Sequence, residues 1–183
     1  MDIMIDLETL DTSPSAVVLT VGAVKFDVNK RDVSDELYIR LDVDEQINRN
    51  RTVDDGTVRW WSQPPEAIQN EAMGEHDRMP VADAIQTINK FLVGADCVWG
   101  QGYGFDMTIL ENLYQQYGHN KPWNFWNLRD SRTVFKMMPR DPVTVIPKVA
   151  AHNALADAHH QALCLQWWHK ELGLVNENNK RCN

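Results

Sequence analysis

An apolar run broken by two carboxylates, IMIDLETL over residues 3–10, stands almost at the head of the chain. It has the look of a buried strand. In an extended strand successive side chains alternate faces, so Asp6 and Glu8 point one way while Ile5 and Leu7 point the other. Two like charges sharing a sheet face repel, and one pKa rises, unless a cation or a proton intervenes. A strand end at the surface, with both acids solvated, satisfies the same pattern, so partners elsewhere in the chain decide between the readings.

The segments that follow set the architecture. TSPS breaks the first strand, residues 17–26 are rich in β-branched side chains, and LYIRL over residues 37–41 alternates apolar and polar, which predicts an antiparallel meander of three strands. Residues 43–75 are polar and acidic, with Asp54 or Asp55 as helix caps and Pro64-Pro65 opening a further helix. Val81, Ile85, Ile88 and Leu92 keep helical spacing and predict an amphipathic helix over residues 81–93. CVWG is a short buried-strand candidate that leads through a Gly-rich turn into a helix over residues 106–117. NFWNLR offers the next strand, a helix follows around residues 131–138, and a long helix runs over residues 154–172 to Gly173. Strands in succession, then strands alternating with helices, imply an α/β domain with a mixed sheet and helices packed on it.

A chain of 183 residues is expected to form one domain, over residues 1–173, with a polar tail over residues 174–183. No basic leader precedes an apolar run and no apolar stretch approaches membrane-spanning length, which points to a cytoplasmic protein with no membrane partner. Cys97, Cys164 and Cys182 lack metal or redox spacing and are expected to be idle thiols. The net charge of −8 argues against a protein that wraps long stretches of nucleic acid, though not against one that grips a chain end through metal ions. Between residues 121 and 148 six basic residues face two acids, a local balance of +4 that serves either phosphate contact or plain solvation.

Two further segments carry chemistry. GFDMTIL places Asp106 at a helix start, and HNALADAHH places His152 and Asp157 at the start of the last helix. Taken singly, Asp106 is also a helix cap or first-turn acid favoured by the dipole, while His152 and Asp157, the latter expected within the second turn, also read as a surface histidine and a solvated acid. Taken together, four carboxylates at the ends of core elements, with small residues beside them, can converge on one cleft. Hard oxygen ligands of this kind suit Mg²⁺ or Mn²⁺, where zinc would prefer His and Cys. Two such ions roughly 3.5–4 Å apart stabilise the attacking and leaving oxygens of a phosphoryl displacement. His152, with its near-neutral pKa, would supply the general base. His159 and His160 lie seven and eight residues beyond His152, outside helical ligand spacing, and are read as structural or solvent-facing. Of the adjacent Trp60 and Trp61, at most one faces a core, and the other is a candidate for stacking on a terminal base; Phe105 is another.

The motifs MIDLET, GFD and HNALADA resemble, in order, those of the DEDDh group of 3'-to-5' exonucleases in the ribonuclease H-like superfamily. TVRWW, VWGQG and PWNFWNLRDSRT are similar more narrowly to small phage and prophage exonuclease VIII-like proteins and their 3'-to-5' exoribonuclease-like relatives. The G-N-G common in that group reads Gly100-Gln101-Gly102 here. The resemblance implies a ribonuclease H-like mixed five-stranded sheet, strands one to three antiparallel and strands one, four and five parallel. It implies that Asp6, Glu8, Asp106 and Asp157 hold two divalent ions and that His152 activates water. Glu8 and the backbone of Leu7 and Thr9 would meet the terminal sugar, and nucleoside 5'-monophosphates would leave from the 3' end. Single-stranded DNA is the favoured partner. RNA is the alternative, as are a catalytically silent binding module and a proofreading subunit. Surplus tryptophan also leaves room for a homodimer surface.

Overall fold

The computed structural model describes residues 1–148 and 152–174. Three long strands come first: β1 (Asp2–Thr9), β2 (Val18–Phe26) and β3 (Val33–Leu41). Short helices α1 (Val43–Asn48), α2 (Asp55–Trp61) and α3 (Glu66–Met73) follow, then a two-residue strand β4 (Arg78–Met79) and helix α4 (Val81–Leu92). The second half alternates β5 (Cys97–Gly100), α5 (Tyr103–Gln116), β6 (Leu128–Asp130), α6 (Ser131–Lys136) and α7 (Ala154–Glu171).

The sheet order is β4-β3-β2-β1-β5-β6. β2 pairs antiparallel with β1 and β3, whereas β1–β5, β5–β6 and β3–β4 are parallel. The five expected strands are therefore six. The extra one, β4, has too few residues to carry a period, and only its docking on the edge of β3 makes it a strand. Helix α5 begins three residues earlier than the pattern predicts, because Gly102 adopts the left-handed conformation (φ 95°) and turns the chain into the helix at Tyr103.

β1 is covered on both faces. Ile3, Ile5 and Leu7 pack with Ile85 and Ile88 of α4 and with Ile109 and Leu113 of α5. Met4 on the opposite face packs with Val24 and Phe26 of β2 and with Ala158, Ala162 and Leu165 of α7. The period of two therefore puts Asp6 and Glu8 on the α7 side. A smaller cluster of Leu10, Val17, Leu19, Trp61 and Ala72 seats α2 and α3 beyond the end of β1.

Gly22 settles how closely α7 approaches. It pairs with Asp6 across the β1–β2 ladder, and a Cβ there would lie 2.1 Å from the carbonyl carbon of Ala154 and 2.2 Å from the amide nitrogen of Leu155. The missing side chain lets the first turn of α7 rest on the strand backbone. Asn153 caps that turn, its Oδ1 accepting from the Ala156 amide at 3.0 Å.

Candidate active site

The acids gather where parallel strands β1 and β5 end. β5 pairs only with Asp2, Ile3 and Met4, so the edge of β1 beyond them is open. Asp106, in the first turn of α5, fills the gap: its Oδ1 accepts the Leu7 amide at 3.2 Å. A Cβ at Gly100 would lie 3.2 Å from Asp106 Oδ2, so a glycine at the end of β5 leaves this carboxylate its space. At Glu8 the ladder slips, with Glu8 opposite Thr20 and Thr9 opposite Val18, and the bulge turns the strand end.

Asp157 comes from the first turn of α7, directly over Asp6 and Glu8. Asp6, Glu8 and Asp157 each offer an oxygen within 4.8 Å of the others. Asp106 stands beside this trio, on the Leu7 amide between the two β1 acids. The His152 amide donates to Asp157 Oδ2 at 3.2 Å, in a left-handed backbone conformation (φ 61°) just ahead of α7.

The electrostatics follow from burial first and from crowding second. Burial, with Asp106, Glu8 and Asp157 alongside, raises the Asp6 carboxyl well above the usual carboxylate range, against the pull of a 2.8 Å hydrogen bond from Gln161 Nε2. Burial and Asp157 push Glu8 up to about 8, with Lys148 opposing. Asp106 is raised to about 7 by burial, restrained by the Leu7 amide and by Arg132.

The tryptophan pair divides as neighbours on a helix must. Trp61 is 1% exposed and its indole N–H donates to the Thr9 carbonyl at 2.9 Å, so the end of β1 is tied to α2. Trp60 remains 39% exposed and meets the His152 ring edge-on, centroids 4.8 Å apart. An open cleft of about 380 Å³ lies there, lined by Leu7, Glu8, Thr9, Trp60, Trp61 and Phe105 among others. All five residues picked for substrate contact border it, and Glu8 joins it to the acids.

Three participants were not singled out in the sequence. Gln161 lies one helical turn after Asp157 on the same face of α7, a spacing that could have flagged it. Lys148 was counted in the basic segment, yet its Nζ lies 2.6 Å from Asp157 Oδ1. Gly22, a glycine in the middle of a strand, carried only the general signal of a bulge or a close backbone approach. The rest of the basic segment is largely occupied: Lys121 pairs with Glu111, Lys136 with Asp141, and Arg132 donates to the Gln101 carbonyl. His160 is structural, bonded to the Ile146 carbonyl at 2.8 Å, and His159 lies 3.8 Å from Glu36. Cys182 and residues 175–183 of the polar tail lie outside the described residues.

Two acids at the carboxyl end of β1, one from α5, one from α7 and a histidine ahead of α7 thus gather at one end of the sheet, in a chain of the 3'-to-5' exonuclease class with a ribonuclease H-like fold. The chain belongs to the 3'-5' exoribonuclease Rv2179c-like domain family, whose model matches residues 1–169. It is 28% identical to the exodeoxyribonuclease of Enterobacteria phage T4, over 91% of this chain and 88% of that protein. The fold is similar to that of E. coli exonuclease I in a complex with single-stranded DNA (TM-score 0.71, 14% identity, 94% of this chain). The chain spans 41% of that structure's length. It is also similar to the nuclease domain of 3'hExo, a DEDDh family member bound to rAMP (TM-score 0.60, 12% identity, 97% of this chain and 95% of that one).

The donor set fits the divalent metal on which DEDDh enzymes depend. Three carboxylate oxygens lie close together at a buried site, and Gln161 Oε1 is buried beside them with no hydrogen-bond partner among the described residues. Hard oxygen donors select hard cations, and a 2+ charge would offset the burial and the mutual repulsion that raise Asp6 and Glu8.

Proposed function

We propose that the protein removes nucleotides one at a time from the 3' end of single-stranded DNA, releasing nucleoside 5'-monophosphates. The juxtaposition of the Asp6–Glu8–Asp157 trio with the Trp60 and Phe105 cleft carries this reading: a hydrolytic centre at one end, a slot for a base at the other. Asp6, Glu8, Asp106 and Asp157 would hold two divalent ions, Mg²⁺ or Mn²⁺. Such ions, when bound, polarise the phosphodiester and acidify a water.

The remaining work falls to the chain. Trp60 stacks on the terminal base, in a cleft that Phe105 also lines. Glu8 and the backbone of Leu7 and Thr9 meet the terminal sugar, and the Trp61 anchor on Thr9 holds that backbone in place. His152 sits between Trp60 and Asp157 and accepts a proton from the attacking water. The water oxygen bonds to phosphorus, the bond to the 3' oxygen of the preceding nucleotide breaks, and that oxygen takes up a proton as the new 3' hydroxyl.

DNA is supported by the likeness to a phage exodeoxyribonuclease, and RNA by the description of the family, so RNA stands as the second reading. A single-strand end suits a chain of net charge −8 in which three lysines of its basic segment pair with acids. Purified protein with Mn²⁺ should release mononucleotides fastest from single-stranded DNA in a side-by-side assay with duplex DNA and RNA. Asp6→Ala should cut the rate by at least about 100-fold, because it removes a group that acts only with its partners. Faster release from RNA would favour the second reading, and an active Asp6→Ala would sink the assignment of the site.

A further inference from the structure

Lys148 brings a positive charge to the acid trio. Its Nζ lies 2.6 Å from Asp157 Oδ1, an oxygen for which the described residues offer no other partner. The same ammonium holds down the pKa of Glu8, so its field reaches two of the three acids. The lysine side chain is 38% exposed while Asp157 is 11% exposed, so the cation reaches in from solvent towards a buried anion. Lys148 lies in the connection between α6 and α7, after prolines at 139, 142 and 147, and it belongs to no helix or strand.

Resting on the metal-site reading above, we propose that Lys148 is an exchangeable counter-ion of the acid cluster, which competes with the divalent metal for Asp157. The ammonium and a metal ion cannot share one carboxylate oxygen at close range. A metal ion that engages Asp157 through Oδ1 must therefore displace Lys148, and the lysine, on an exposed flexible stem, swings out to water. The pair would stabilise the cluster when metal is scarce and raise the concentration of metal at which the enzyme becomes loaded. Lys121 and Lys136 of the same segment pair instead with acids away from the trio.

Mn²⁺ binding to the metal-free protein, followed by calorimetry, tests the idea without any turnover. Lys148→Met should bind Mn²⁺ about tenfold more tightly than wild type, the order expected for losing one charge-assisted contact. It should also lower the metal-free melting temperature and enlarge the rise that Mn²⁺ produces. Lys148→Arg, which keeps a cation in place, should bind as wild type does. Lys30→Met, which removes an equal charge from an exposed turn, should also leave affinity unchanged. Equal Mn²⁺ affinity in wild type and Lys148→Met would overturn the exchange, as would an equal gain in Lys30→Met. Absence of Mn²⁺ binding in every variant would instead overturn the metal site itself, and the exchange with it.

Discussion

Glu8 shows what one residue's surroundings do to it. In an open strand end it would ionise near 4.5; here burial and Asp157 lift it to about 8, and burial lifts Asp106 to about 7. A carboxyl that holds its proton more tightly when folded makes stability fall as pH rises, because between the two pKa values the folded state binds more protons. For Glu8 the loss begins near its ordinary value and is complete above about 8; for Asp106 it is complete above about 7. The metal-free protein should therefore melt at progressively lower temperature from pH 5 to pH 8.5, in thermal scans with chelator. Glu8→Gln should flatten that decline, and a slope unchanged in this variant would show that Glu8 titrates normally. Saturating Mn²⁺ should remove much of the decline, since metal replaces the protons.

At the scale of elements, the site depends on how α7 meets the sheet. Gly22 lets Ala154 and Leu155 touch the β2 backbone, which carries Asp157 over Asp6 and Glu8. A methyl there meets backbone on a helix already packed through Ala158, Ala162 and Leu165, so nothing nearby yields cheaply. Gly22→Ala should cost about 1–3 kcal/mol in urea denaturation and lower Mn²⁺ affinity besides. A variant with wild-type stability and metal binding would mean that α7 adjusts freely. α2 illustrates the same dependence from the other end of the site. Buried Trp61 bonds Thr9, and that contact leaves Trp60 at the cleft beside His152. Residues adjacent on one helix thus serve stability and surface separately.

For the whole molecule, charge and cleft combine. The chain carries −8, and Lys121, Lys136 and Lys148 of its basic segment are each paired with an acid, which disfavours a long nucleic acid track along that segment. Binding of single-stranded DNA, measured with chelator-free buffer and Ca²⁺ in place of Mn²⁺, should weaken only modestly with salt. A log–log slope shallower than about −3 is expected, that of a few phosphates. A markedly steeper slope would reveal a basic path along the surface. No helix among the described residues is long and apolar enough to cross a membrane.

The alternation in IMIDLETL, the helical spacing of Val81, Ile85, Ile88 and Leu92, and the order of strands and helices made the mixed sheet and its acids legible in one dimension. These are local periodicities, set by backbone geometry that every residue obeys. The three motifs also named Asp6, Glu8, Asp106, His152 and Asp157 together. Other features arise between segments distant in sequence. β4 is a strand only because β3 offers it an edge, and the bulge at Glu8 exists only against β2. Gly22 matters because α7 lies on it, and Lys148 because a loop brings it to Asp157. The sequence by itself determined which groups carry charge and which face of each element they occupy. Tertiary structure decided which of those charges meet, because repulsion, burial and pairing depend on distance, and distance across the sheet is set by packing alone.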